Sequence, residues 1–491
     1  MGLMPSDNTV LYNGGYKVLN GYIPFNDYWL VTGPLLDYIN AFFFLLFGTT
    51  WKSYIFHSSF VNLILAISSF YLFKSLKLSS LYAVSYACLI SILFYPVVGT
   101  PFVDHHSTFF LILSFYIFIF VVNSKKFLFL SIIPFLLCLS FLSKQTPAVY
   151  GVTVIIFLIF MICLLERKKI KEILVSFFLG SVFSLIFLFL FFVITNINFQ
   201  NFLEQYILYS KTIGEYRIEN YSFNLIDVII NYKFINLFNL ALTIILIKIF
   251  INNKRNLKSI LILISSISLS FILIFHQLYT SNQNYIFFLI PFLCGMAHIF
   301  IEKNNMKKYV LISLISLCIF SVTKYHLRFN EQRKFNELEN VNLNLALNSD
   351  KISKDLKGLK WITYEFPDNP KKELEGIKDI MNIISKEKQK KMIITDYQFI
   401  APSLRIYDNS PNQWHHPGVS FPLSNNNYFE EYKKFFVNII FKKELKVIYE
   451  TINEKENTIT GLILDKDCFN QTRVHEMMVK LELSQNCEDF N

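Results

Sequence analysis

The chain has no internal repeat, no low-complexity linker, and neither a signal peptide nor an apolar span ahead of its first acidic residue, Asp7. Missing repeats count against transporters assembled from duplicated halves. A segment that needs export without an exporting span predicts a further apolar helix encoded upstream of Met1. Cysteine is sparse: of seven, Cys88, Cys138, Cys163, Cys294 and Cys318 fall inside apolar runs and read as packing residues. Only Cys468 and Cys487 stand in polar sequence, where an oxidising compartment would let them pair. Charge is also thin, at 17% of residues. The net charge of +10 does not form a basic face, because Lys and Arg sit in short clusters between apolar runs. That pattern gives topogenic anchors and no nucleic-acid partner.

What is abundant is apolar surface: 53% hydrophobic and 17% aromatic residues, with a mean hydropathy of +0.40. The 53 Phe accompany much Ile, Lys and Asn, a coding bias that carries little functional meaning. Between about residues 50 and 325 the apolar residues cluster into runs near the roughly 20 needed to cross a bilayer. Spans are predicted at 52–74, 79–97, 107–123, 127–143, 147–165, 171–195, 234–252, 258–275, 284–301 and 307–323, about ten crossings. The pair flanking Pro134 and Pro147 reads as kinked or re-entrant. Basic clusters at Lys74/Lys77, Lys125/Lys126, Arg167–Lys171, Lys254–Lys258 and Lys303–Lys308 all fall on one side, which the positive-inside rule makes cytoplasmic. Residues 1–50, 97–106, 144, 196–233, 276–283 and everything after 324 then face outward.

Three regions follow: an external N-terminal loop with a surface helix (1–50), a transmembrane bundle (51–325) and a soluble outer domain (326–491). In the last, helices are predicted at 324–359, 371–388, 428–441 and 471–483, and strands at 361–364, 391–396, 446–449 and 461–464. This alternation predicts a small α/β domain. The fold class is therefore an α-helical polytopic membrane protein with a C-terminal soluble α/β domain.

The N-terminal segment reads Pro5-Ser6-Asp7-Asn8, then Gly14-Gly15-Tyr16, then Gly21-Tyr22-Ile23-Pro24-Phe25-Asn26-Asp27, then Gly33-Pro34-Leu35. An acid opening an external loop ahead of these words resembles the GT-C superfamily of membrane glycosyltransferases, which includes the protein mannosyltransferases and aminoarabinose transferases. The resemblance covers roughly residues 5–325 and implies a GT-C-like helical bundle using a polyprenyl-phosphate or dolichyl-phosphate sugar. It nominates Asp7 as the catalytic carboxylate; the plainer reading is a helix cap. A base is needed because a hydroxyl or amine acceptor loses a proton as it attacks the anomeric carbon, a step worth roughly 10²–10⁴-fold.

A second constellation, Pro101-Phe102-Val103-Asp104-His105-His106-Ser107, lies at an outer mouth between two spans, where ionisable groups are functional candidates. Asp104 matches the second acidic residue that GT-C enzymes often keep in this loop, either helping a divalent metal or binding substrate; helix capping is the alternative. Asp7, Asp104 and His105 are the metal candidates, although adjacent His105 and His106 point apart on a helix and suit sugar or phosphate contacts better. Lys144, with Gln145 beside it, is either a snorkelling anchor or the cation that neutralises a departing phosphate. Arg217 offers the same charge. The stretch from His276 to Gln283 supplies neutral donors and acceptors for sugar hydroxyls, or is an ordinary polar turn. Trp414-His415-His416-Pro417 reads as an aromatic platform or a structural turn.

The expected activity is a hexosyl or pentosyl transfer from a polyprenyl-phosphate-linked sugar to a lipid, glycan or protein acceptor, at the periplasmic face of a bacterial inner membrane. Two rivals remain: a transporter or flippase of lipid-linked saccharide, which would bury its polar groups at mid-membrane, and an inactive GT-C-like member. A polysaccharide polymerase or ligase would need Arg-rich external loops that the sequence lacks.

Overall fold

A computed structural model describes residues 2–219, 224–251, 256–280, 286–304, 307–334, 337–452 and 458–484. It is mostly helical and divides into two compact units interleaved in sequence. One gathers residues 1–57, 192–216 and 333–491, and the other 58–191 and 217–332.

In the second unit helices occupy the predicted span positions. Among the described residues of the whole chain, seven helices are long and apolar enough to cross a membrane: Trp51–Ser75, Val103–Ser124, Gln145–Leu165, Arg167–Thr195, Lys233–Ile251, Leu257–Thr280 and Lys308–Glu331. The spans predicted at 79–97, 127–143 and 284–301 are shorter helices, Ser80–Phe94, Ile132–Ser143 after a 3₁₀ turn at Phe127–Ser131, and Leu289–Lys303. The first of these stops because Tyr95 precedes Pro96, which disfavours helical backbone for its neighbour. Pro134 sits in the first turn of its helix, where it removes no intrahelical bond.

Exposure sorts these helices. Only 11% of the most apolar stretch of Arg167–Thr195 is buried, and Phe178, Phe183, Phe189 and Ile194 point outward, a surface that only lipid can solvate. The two most enclosed are Val103–Ser124 (67% buried) and Leu257–Thr280 (61%). Small residues permit close crossings: a Cβ on Gly180 would lie 2.1 Å from the Ser131 carbonyl oxygen. Buried polar side chains pair across helices, as where the Ser270 hydroxyl donates to Asn239 Oδ1 at 2.7 Å.

In the first unit the N-terminal segment is built into the C-terminal sequence. Gly2 and Leu3 donate backbone bonds to the carbonyls of Lys360 and Ile362, the Trp29 N–H donates to the Pro411 carbonyl, and the Gln413 N–H donates to that of Trp29. Helix Val10–Leu19 packs on helix Leu35–Phe47 at Gly14 and Gly15, where a Cβ would come 2.1 Å from Asp37 Oδ1 and 2.6 Å from Asn40 Cβ. The Lys17 ammonium is fully buried, held by the Ser410 carbonyl at 3.0 Å and Asp408 at 3.4 Å, above the Tyr28 ring. Burial favours neutralisation of this amine, and Asp408 opposes it.

The C-terminal part carries small sheets. Lys391–Ile394 pairs in parallel with Val447–Thr451, which pairs antiparallel with Met478–Leu483, itself antiparallel to Phe469–His475. Helix Phe429–Lys443 lays Phe436, Ile439 and Ile440 against Met392, Ile394 and Ile448. The helices predicted at 371–388 and 428–441 and the strands at 391–396 and 446–449 form with small shifts of boundary. Others do not. The helix predicted at 324–359 ends at Glu331, and further on the Asn342 and Ser353 side chains accept backbone N–H groups two residues ahead, a local alternative to helix. The helix predicted at 471–483 is a β-hairpin, and the strand at 461–464 is a helical turn, Thr460–Ile463, whose leading N–H groups bond to Glu450. The strand predicted at 361–364 is reduced to Lys360–Trp361, paired with Leu347–Asn348.

Candidate functional site

The outermost turns of three helices in the second unit converge on Asp104. Its carboxylate is 1% exposed, in the first turn of Val103–Ser124, which has no side-chain cap. Lys144, in the link between Ile132–Ser143 and Gln145–Leu165, donates to both oxygens at 2.7 Å. His276, in the last turn of Leu257–Thr280, places Nε2 2.8 Å from Oδ1. A carboxylate only accepts, so Nε2 carries the proton and Nδ1 is the other functional position of the ring. Among the described residues that buried Nδ1 has no hydrogen-bond partner. The Ser107 hydroxyl closes the group, bonding to the Lys144 carbonyl at 3.2 Å and meeting Ser140 at 3.0 Å. The half-buried Arg217 guanidinium acts electrostatically on His276. The Asp104 carboxylate is thus paired with Lys144 and His276, and the Arg217 charge acts on the His276 side of the group.

The neighbouring histidines do different work. His106 Nδ1 donates back to the Phe102 carbonyl at 3.0 Å. His105 packs on Phe94 with ring centroids 4.2 Å apart, and no hydrogen-bond geometry is met at either ring nitrogen among the described residues. Gln145 begins its helix, half-buried, beside Lys144. Gln283 lies outside the described residues. No three His, Cys, Asp or Glu side chains come together as a metal-ligand set among the described residues, and Asp104's oxygens are already taken by Lys144 and His276.

At the opposite ends of the same two enclosed helices stand Asn123 and Lys258. With a rise of 1.5 Å per residue, the separation from Asp104 to Asn123 or from His276 to Lys258 is roughly 28 Å, close to one hydrocarbon thickness. The ion cluster therefore occupies the end of these two helices away from Asn123 and Lys258.

Asp7 belongs to the first unit, half-buried in the single turn Pro5–Asn8. Pro5 and Ser6 line a cleft of about 550 Å³ together with Tyr364, Glu365, Asp396, Tyr397 and Arg473. Asp396 is an exposed residue of the cleft wall, crowded by protein atoms on its other sides, and among the described residues nothing hydrogen-bonds its carboxylate. Burial first, then the charges of Glu365 and Asp7, push its carboxyl up to about 7. Asp396 and Glu365 were not identified from sequence. The available signal was an acid just past a strand in a parallel pair, a position where open sheets often place ligand groups. Trp414 packs on the domain core, and His415 Nε2 meets the Ser410 hydroxyl at 3.1 Å. Cys468 is disulfide-bonded, and the partner expected for it, Cys487, lies outside the described residues.

Seven apolar helices and an ion cluster buried at one end of the bundle define a polytopic helical membrane protein. No protein-family model matches this chain, and no curated protein matches it.

Proposed function

We propose that this protein is a GT-C-type glycosyltransferase that moves a sugar from a polyprenyl-phosphate carrier to an envelope acceptor at the periplasmic face of a bacterial inner membrane. One observation carries the reading: Asp104, Lys144 and His276 gather at the end of the bundle opposite Lys258, with the charge of Arg217 acting on His276. Such a cluster suits the phosphate of a lipid-linked donor. In the proposed reaction the acceptor's oxygen or nitrogen attacks the anomeric carbon and inverts it. The bond from that carbon to the phosphate oxygen breaks, and its electron pair stays on the phosphate. Lys144 and Arg217 offset the charge that develops there, while Asp104 fixes the Lys144 ammonium and the His276 ring. Asp7 is the proposed base that takes the acceptor's proton. The C-terminal part, read as an α/β domain, binds the acceptor, and the disulfide at Cys468 fits an oxidising compartment.

The test is complementation of a strain lacking the protein, with envelope glycans and lipids read by mass spectrometry. Asp7→Asn and Arg217→Ala should each cut product by at least about a hundredfold, in line with loss of a base or a phosphate cation. Wild-type product levels from both variants would end the proposal. Purified protein that moves lipid-linked sugar across vesicles without breaking the sugar–phosphate bond would favour a flippase instead.

A further inference from the structure

The cytoplasmic lysines predicted from the sequence do more than stand apart as anchors. Lys77, Lys258 and Lys303 converge on one pocket of about 460 Å³ between helices of the second unit. Lys77 follows helix Trp51–Ser75 in a left-handed conformation (φ 74°), Lys258 begins Leu257–Thr280, and Lys303 ends Leu289–Lys303. Lys258 donates to the Asn123 carbonyl, and Lys303 to the Ser259 hydroxyl at 2.9 Å. Among the described residues no carboxylate pairs with any of the three. The one acid in the wall, Glu302, is engaged by His298 at 3.1 Å.

The three ammonium groups are close enough to repel one another: Lys258 feels both Lys303 and Lys77, and Lys303 feels Lys77. Topogenic anchoring alone favours the reverse, with side chains splayed outward into water where their repulsion is screened. Here the charges surround a concavity whose floor is apolar, formed by Ile262, Ile299 and Phe300. A cationic rim over an apolar floor at a membrane boundary matches an amphiphile with an anionic head.

We propose that this pocket is a binding site for the phosphate headgroup of an anionic phospholipid, with the start of an acyl chain on its apolar floor. The site is independent of the sugar-transfer reading and rests only on the chain being a membrane protein.

The experiment is native mass spectrometry of the full protein, delipidated in a neutral detergent and titrated with phosphatidylglycerol or phosphatidylcholine. Phosphatidylglycerol should be retained roughly a hundredfold more strongly, as three lysines acting on one phosphate imply. The K77Q/K258Q/K303Q variant should lose that preference, whereas K168Q/K169Q, altered in a separate basic cluster, should keep it. A competition arm with inorganic phosphate separates a lipid from a free anion: excess phosphate should not displace the lipid. Equal retention of the two lipids by wild type overturns the proposal, a comparison that needs no variant to fold. Retention of the preference by the triple variant, or full displacement by inorganic phosphate, also overturns it.

Discussion

Removing the charge of Asp104 tests the central pairing most sharply. Asp104→Asn keeps the volume but leaves the Lys144 ammonium, 15% exposed, and the buried His276 ring without their carboxylate. Breaking a buried pair by deleting one partner costs about 3–5 kcal/mol, and the residual exposure of Lys144 puts the expectation at about 3 kcal/mol. Lys144→Met strands the carboxylate instead and should cost a similar amount. The double variant removes both charges, so its loss should be far less than the sum, with a coupling of at least about 2 kcal/mol. Thermal unfolding in detergent, followed by intrinsic fluorescence, should drop by roughly 5 °C for each single variant. A detergent-denaturation titration supplies the free energies for the cycle. Strictly additive losses, or an Asp104→Asn protein as stable as wild type, would refute the buried pair and with it the electrostatic argument for a phosphate site.

Gly14→Ala drives a methyl group against Asp37, which cannot swing aside because the Tyr28 hydroxyl (2.6 Å) and the Gln413 amide (2.9 Å) hold it. Unfolding should show a loss of about 2 kcal/mol, and a neutral result would mean that the two helices separate freely. The Asp396 carboxyl, raised to about 7 from an ordinary 3.8, adds stability that is complete below about pH 4 and is lost as pH rises through 7. Asp396→Asn should therefore match wild type near the acid end and unfold at higher temperature than wild type at pH 8; an identical offset at both ends counts against that environment.

How much of this was legible depends on the reach of each signal. Asp104, Lys144 and His276 stand out in sequence because an ionisable side chain at the edge of an apolar run needs a reason to be there. Their pairing does not, since they are separated by up to 172 positions and nothing local joins them. Only the fold supplies the partners: Lys144 donates to both oxygens of Asp104, and His106 bonds back to the Phe102 carbonyl. The hairpin at 469–483 shows the same limit. Met, Lys, Glu and Leu there favour helix, yet Val479 and Leu481 alternate with polar residues, and the strand Val447–Thr451 decides the outcome by offering an edge. Gly14-Gly15, met as a word in a resemblance, packs against Asp37 and Asn40 of the next helix, which accounts for that spacing without invoking chemistry. Asp7 reads plainly as an early acid, but the acid that shares its surroundings, Asp396, lies 389 residues away and leaves no local trace.

The ion cluster and the lysine pocket sit at opposite ends of the two most enclosed helices, so their placement relative to the bilayer is one question. Lysines remain on the side where they are synthesised because moving them across the membrane is costly, and three of them mark one end. The span of roughly 28 Å between the ends leaves no room for both in one interface. Single cysteines in a background lacking the exposed Cys88 and the half-buried Cys138 should therefore react oppositely with a membrane-impermeant maleimide. A cysteine at Lys303 should label only after the cytoplasmic side is opened, and one at Gln145 in intact spheroplasts. Labelling of both from the same side would remove the outward cluster, and a periplasmic transfer reaction could not take place there.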